Sequence, residues 1–255
     1  MTTAQNPLTP ETITLNSPSS NIATPERVLA IGAHPDDIDF GCGATLAKWT
    51  DTGCDVDVIV CTDGSKGTWD DSMDRAELVR IRQNEQRASA RRLGVQGEVI
   101  FLGEVDGHLT SSVELRSVVT AWIRKLRPTV VLGHDPWKRY RLHPDHRNAG
   151  WLVTDAVVAA RDATFFPELG LAAHRPELIL LWEADQPDHF EDVEGQALRK
   201  YEALAEHKSQ YASTMSRGED PSTDGFFEAV EQKLTEAGRA AGLAAAEVFK
   251  LIDDL

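Results

Sequence analysis

A chain of 255 residues, 41% hydrophobic and 26% charged, has the size and make-up of a soluble globular protein with one α/β core. Its formal net charge of −15, from 26 Lys+Arg against 41 Asp+Glu, repels polyanions and argues against a nucleic-acid partner. No apolar run approaches the roughly 18 residues of a membrane span, so no transmembrane segment is expected.

Residues 1–25 are rich in Thr, Ser, Asn and Pro and lack both a basic start and a long apolar stretch. They read as a disordered lead-in rather than a signal peptide, with residues 26–255 forming a single domain. Residues 27–33 are a short apolar run after Pro25, which suits a buried parallel strand, and His34-Pro35-Asp36-Asp37 follows at its carboxyl end. A helix over 41–50 is expected next, stopped by Gly53. The second strand is expected over 55–61, followed by a loop whose Gly64, Gly67 and Trp69 are placed to wall a pocket. A helix over 74–93, ended by Gly94, leads to a third strand at 99–102. Residues 112–126 read as a helix with Val113, Val118, Val119 and Trp122 inward, and Pro128 precedes a fourth strand at 129–132. Beyond it come a helix over 145–161, a strand at 178–182, a helix over 194–205, a loop at 218–225, a charged helix and a last strand at 248–252.

This alternation predicts an α/β fold: a mostly parallel sheet with helices on both faces and an active site beyond the carboxyl ends of the strands. Cys42, Cys54 and Cys61 form no CxxC pair, and their odd number opposes a disulfide framework, so a cytoplasmic setting is expected.

Two short motifs concentrate the chemistry. His34-Pro35-Asp36-Asp37 and His143-Pro144-Asp145-His146 each follow a predicted strand, and in a parallel sheet the two loops can converge. Pro35 restricts its own φ and the conformation of His34, which preorganises the first loop. Either motif alone reads equally as a turn with Asp36 or Asp145 capping a helix. Together they supply two histidines and one aspartate for a zinc ion with an open fourth position, and leave other groups for acid/base work. The same donor set would also accept Fe(II), Co or Mn.

These residues resemble the LmbE-like, or PIG-L, zinc-dependent N-deacetylases. The resemblance rests on Ala33 to Asp37, Gly41-Cys42-Gly43-Ala44-Thr45-Leu46, Arg82-Gln83-Asn84-Glu85, Leu93-Gly94-Val95, Asp106-Gly107 and His143 to His146. It spans roughly residues 28–150 and continues more weakly over Glu206-His207-Lys208-Ser209-Gln210. It implies a Rossmann-like fold and hydrolysis of an acetamide, commonly on an amino sugar. By the same resemblance, zinc is held by His34, Asp37 and His146, and Asp36 is the general base acting on metal-activated water. His143 would stabilise the oxyanion or protonate the leaving amine, with Asp145 orienting its ring and keeping it charged. Arg82 and Asp106 match positions that contact sugar hydroxyls, though by their own context they read as a helix ion-pair residue and a turn residue.

The chain departs from the family pattern at two places. Ile38 and then Asp39 follow the first motif where Glu is common, and Arg141 stands where some members carry Tyr, with Tyr140 one step earlier. His108, His134, His174 and His189 have no paired motif and read as surface, core or loop residues. His207 either lines the pocket or lies on a helix surface, and Cys42 reads as a small buried residue.

The expected partner is a small-molecule amino sugar or sugar conjugate, and a homo-oligomer is compatible with the sequence. An amidase acting on a thiol conjugate or an acylated natural product, and a non-catalytic metal- or sugar-binding protein, are the competing functions. A nucleotide-binding dehydrogenase is disfavoured, because Gly32 and Gly41 are separated by the first motif and no third glycine completes GxGxxG.

Overall fold

The computed structural model describes residues 18–215 and 225–255. Its strands are β1 (Ser19–Ser20), β2 (Arg27–Gly32), β3 (Asp55–Thr62), β4 (Val99–Glu104), β5 (Val130–His134), β6 (Leu178–Trp182), β7 (His189–Asp192) and β8 (Ala246–Ile252). The helices are α1 (Asp37–Asp51), α2 (Arg75–Arg92), α3 (Val113–Leu126), α4 (Pro144–Arg161), α5 (Ala197–Leu204) and α6 (Phe226–Arg239). One eight-stranded sheet runs in the order β1-β7-β8-β6-β5-β2-β3-β4. Only the pairings of β8 with β6 and β7 are antiparallel, so the expected mostly parallel α/β sheet is present.

Strands buried on both faces need apolar residues at successive positions, and β2 supplies them. Leu29 and Ile31 join the core under α3 and α4, while Val28 and Ala30 join the core under α1. Each fully buried aliphatic side chain of this kind contributes about 1.5–3 kcal/mol. A third cluster, with Ala44, Leu204, Val230 and Leu234, packs α1, α5 and α6 together. The chain steps from β2 outward to β3 and β4, then returns to place β5 on the opposite side of β2. The reversal opens a crevice beyond the carboxyl ends of β2 and β5, where ligands of open α/β sheets bind.

Several boundaries move. The first helix starts at Asp37, not Gly41, and is broken at Cys42, whose φ of −146° and ψ of 16° are non-helical. Ser112 and Asp74 are the N-caps of α3 and α2, accepting from Leu115 N–H and Ala76 N–H. Along α3, Val119 is buried as expected, but Val113 and Val118 are exposed, and Ile123 and Leu126 fill the inward face instead. Val113 sits in the first turn, beyond the edge of the sheet contact, and Val118 lies on the helix's outer side. Of the lead-in at residues 1–25, positions 1–17 lie outside the described residues, and Ser19–Ser20 pairs with β7. The loop expected at 218–225 also lies outside the described residues except for Gly225.

Candidate active site

A cavity of about 550 Å³ lies at the switch point, floored by His34, Asp36, Asp37, His134, His143 and His146. Both loops deliver their side chains here because β2 and β5 are adjacent and parallel, with Ile31 opposite Gly133. Thr62 anchors the first loop from β3: its N–H and hydroxyl both donate to Ala33 O, at 2.8 and 2.9 Å. His143 caps α4, and Pro144 at the first helical position makes the entry rigid.

Three of the predicted ligands converge. His146 Nε2 lies 3.2 Å from His34 Nδ1 and 3.3 Å from Asp37 Oδ1. Zinc bonds of about 2.0–2.1 Å at tetrahedral angles require donors about 3.3–3.4 Å apart, so the spacing fits such an ion. The outer nitrogen of His34, Nε2, faces Asp145 Oδ2 at 3.2 Å and Asp106 Oδ1 at 3.4 Å. Its ring proton is held there, which leaves the Nδ1 lone pair to a metal. On His146 the outer Nδ1 lies 2.6 Å from Arg141 Nη1. A guanidinium only donates, so the neutral ring carries its proton on Nε2 here, and binding of a metal at Nε2 would require that proton to move to Nδ1 and Arg141 to turn away.

Asp36 sits beside this cluster in a left-handed conformation, φ 103°, which costs about 1–3 kcal/mol for a residue with a Cβ. The strained turn is braced. Asp36 N–H donates to Gln86 Oε1 at 2.8 Å, and Arg82 donates to Pro35 O at 2.6 Å and Gly64 O at 2.9 Å. Burial pushes the Asp36 carboxyl up to about 6, opposed by the Arg82 guanidinium at 3.4 Å and helped by the Asp37 carboxylate. A carboxylate in that range is a better proton acceptor than an ordinary one and is still ionised at neutral pH.

His143 is exposed at the rim. Burial of part of its ring, with the His34 and His146 rings beside it, lowers its pKa, so it is a neutral imidazole. Asp145 N–H donates to its Nδ1 at 3.3 Å, which places the ring proton on Nε2. The carboxylate of Asp145 goes elsewhere than the resemblance implied: besides His34, it accepts Gly107 N–H at 2.6 Å and Leu109 N–H at 3.1 Å. It therefore braces the zinc-ligand candidate His34 and does not hold a charged His143. Arg82 and Asp106 both line the cavity, and Asp106 also accepts Lys66 N–H at 3.0 Å. Trp69 stands 78% exposed and away from the cavity wall, to which the loop contributes Lys66 and Gly67.

Two histidines outside the two motifs are buried beside them. His207 has no partner on Nδ1 among the described residues, while its Nε2 meets Asp39 Oδ2 at 3.0 Å beneath the Asp36 turn. Asp39 thereby joins Gln86 and Ser89 in one buried network. His134, read from sequence as a surface, core or loop residue, has Nε2 only 3.2 Å from Asp37 Oδ2. Its position at the carboxyl end of a parallel strand was the available signal. Glu183, just past β6, lines the same cavity and pairs with Arg141 at 2.5 Å.

Fold and site together define an α/β enzyme with its reaction centre at the carboxyl ends of parallel strands. The family described as GlcNAc-PI de-N-acetylase, PIG-L, matches residues 29–157, and the chain belongs to this family of deacetylases. It is 36% identical to the diacetylchitobiose deacetylase of Thermococcus kodakarensis over 77% of this chain and 73% of that protein. The solved N,N'-diacetylchitobiose deacetylase of Pyrococcus horikoshii superposes with a TM-score of 0.80 at 31% identity, over 90% of this chain and 84% of that one. Similarity to the 1D-myo-inositol 2-acetamido-2-deoxy-alpha-D-glucopyranoside deacetylase of Mycobacterium avium is 38% identity over 49% of each chain.

Proposed function

We propose that this chain is a zinc-dependent hydrolase that removes an acetyl group from the amide nitrogen of an N-acetylated amino sugar or sugar conjugate. The observation that carries the reading is the clustering of His34 Nδ1 and Asp37 Oδ1 at 3.2 and 3.3 Å from His146 Nε2, beside the carboxylate of Asp36. The likeness to deacetylases of diacetylchitobiose and of an acetamido-glucopyranoside supports the substrate class. No helix among the described residues is long and apolar enough to cross a membrane. The three cysteines are free and buried, which supports a reducing, cytoplasmic setting.

Zinc held by these three residues would act as a Lewis acid and bring the pKa of water down to about 7. Asp36 takes the proton from the water whose oxygen adds to the acetyl carbon. His143 presents Nε2–H toward the oxygen on which negative charge grows, since its Nδ1 is already accepting from Asp145 N–H. The carbon–nitrogen bond then breaks, acetate forms, and the amine leaves with the proton returned by Asp36. Arg82 keeps Asp36 in place through Pro35 O, and the cavity wall formed by Lys66, Gly67 and Asp106 faces the sugar.

Acetate release from diacetylchitobiose and N-acetylglucosamine conjugates tests the reading. Chelation is expected to abolish release and zinc to restore it, and Asp36→Asn is expected to lower kcat by about 10²–10⁴ while zinc still binds. Unchanged release after exhaustive chelation, or full activity in Asp36→Asn, would sink it.

A further inference from the structure

We infer that His134 is a positioning residue for the zinc ligand Asp37: its Nε2–H holds Oδ2 of the carboxylate and so fixes the orientation in which Asp37 would meet the metal, and Trp182 fixes the ring tautomer that makes this possible. The inference rests on the zinc reading above.

His134 and Trp182 close neighbouring strands and stand opposite each other in register, 2% and 1% exposed. The indole nitrogen is a donor and nothing else, and it lies 3.0 Å from His134 Nδ1. Nδ1 therefore accepts, and the proton of the neutral ring is on Nε2. Nε2 is 3.2 Å from Asp37 Oδ2. Two other groups approach the ring. Ala33 N–H reaches Nε2 at 3.5 Å, a length at which it contributes little. Glu183 Oε2 lies 3.4 Å from Nδ1, but this carboxylate is bound by Arg141 at 2.5 Å, and the Nδ1 lone pair is already engaged by the indole.

With both ring nitrogens occupied, His134 has no lone pair for a metal, although it lies within ligand range together with Asp37 and His146. What it controls is the carboxylate. Oδ2 of Asp37 accepts from His134 and from His34 N–H at 2.7 Å and lies 3.2 Å from His34 Nδ1, whereas Oδ1 is turned to His146 Nε2 at 3.3 Å. A carboxylate fixed in this way is held ready beside both histidine ligands, which is what a group that orients a metal ligand supplies. The seat of the indole is itself specified by α1: a Cβ on Gly41 would come within 2.6 Å of the Trp182 ring.

Competition with a chromogenic chelator, using zinc as the probe, tests this on the full chain. Zinc affinity is expected to fall about 10- to 100-fold in His134→Leu, the usual effect of removing a group that orients a ligand. His134→Gln, whose amide N–H can reach Oδ2, is expected to recover most of that loss. Trp182→Phe, which keeps the packing but frees Nδ1, is expected to lose affinity in the same direction by a smaller factor. Wild-type protein that binds no zinc overturns the zinc reading. Wild-type protein that binds zinc while His134→Leu binds it equally well, or His134→Gln binding as poorly as His134→Leu, overturns the role of His134 alone. Should His134→Leu fail to fold, the comparison of His134→Gln with Trp182→Phe decides: equal, wild-type affinity in both overturns it.

Discussion

Arg82 is a side chain whose sequence context and structural position point to different duties. As a contact to sugar hydroxyls it would act on substrate binding, so its loss would raise KM and spare kcat. The fork is already committed to protein groups: Nη1 donates to Gly64 O, and Nη2 to Pro35 O with Asp36 Oδ2 at 3.4 Å. Among the described residues, Nε has no partner. Its chief action is therefore on the strained Asp36 turn and on the loop that walls the cavity. Lysine at this position keeps the charge but cannot satisfy both carbonyls, and each one left without a donor costs about 1–3 kcal/mol. Arg82→Lys is thus expected to lower kcat by about 10- to 100-fold through misplacement of the base, with KM changing less. Steady-state kinetics that show KM rising at constant kcat would return Arg82 to the substrate contact implied by resemblance.

Helix α1 is kinked at Cys42. After the break at Cys42 the helix restarts, and the N–H groups of Ala44 and Thr45 have no partner within it. Glu247 on β8 accepts both, at 3.1 and 2.7 Å, and Lys200 on α5 binds Glu247 and Phe40 O together. Ala44, Thr45, Lys200 and Glu247 are all buried, so each leans on the next. Glu247→Gln leaves the Lys200 ammonium without its counter-charge and is expected to cost about 3–5 kcal/mol. The double variant Glu247→Gln, Lys200→Met should cost clearly less than the two single losses added, because the stranded charge is gone. Additive denaturation midpoints would refute the coupling. The same element shows what sequence could and could not convey. Strands and helices followed from apolar runs, caps and glycine stops, all of which are local. The start of α1 at Asp37 did not, since its break is made tolerable by a glutamate some 200 residues away that carries no local signal. On α3, Val113, Val118, Val119 and Trp122 were read as the inward face, and tertiary packing leaves Val113 and Val118 in solvent.

For the molecule as a whole, the sheet order decides which separated residues become neighbours, and it explains both what the motifs revealed and what they hid. The two histidine motifs were readable because each gathers its groups within four residues, and the switch between β2 and β5 needed only to join them. His134 and Glu183 each enter alone, from the end of β5 and the turn after β6, so no spacing marked them, and His207, from the turn after α5, was open to two readings. The far edge of the sheet is assembled in the same non-local way. Glu191 on β7 is buried, yet it accepts Ile22 N–H at 2.9 Å, Lys48 Nζ at 2.6 Å and pairs with His189 Nε2 at 2.9 Å, while Ser19 meets the other nitrogen of that ring at 2.8 Å. One carboxylate thus ties the N-terminal segment to α1 and to β7. Burial by itself would raise its pKa, but the His189, Lys48 and Ile22 bonds overcome that and hold it below the ordinary value of 4.5. Because the folded pKa is the lower one, the stabilisation is fully present above about pH 4.5 and is lost as pH falls through the folded value. Lys48 keeps part of its side chain in water, which moderates the pair, so Glu191→Gln is expected to cost about 1–3 kcal/mol at pH 7. That deficit should shrink steadily as unfolding is measured from pH 5 downward, since protonation makes the wild-type side chain neutral as well. A deficit that stays constant to the acid limit of folding would mean that the edge is held by β1 and β7 backbone pairing, and that the charge on Glu191 contributes nothing to it.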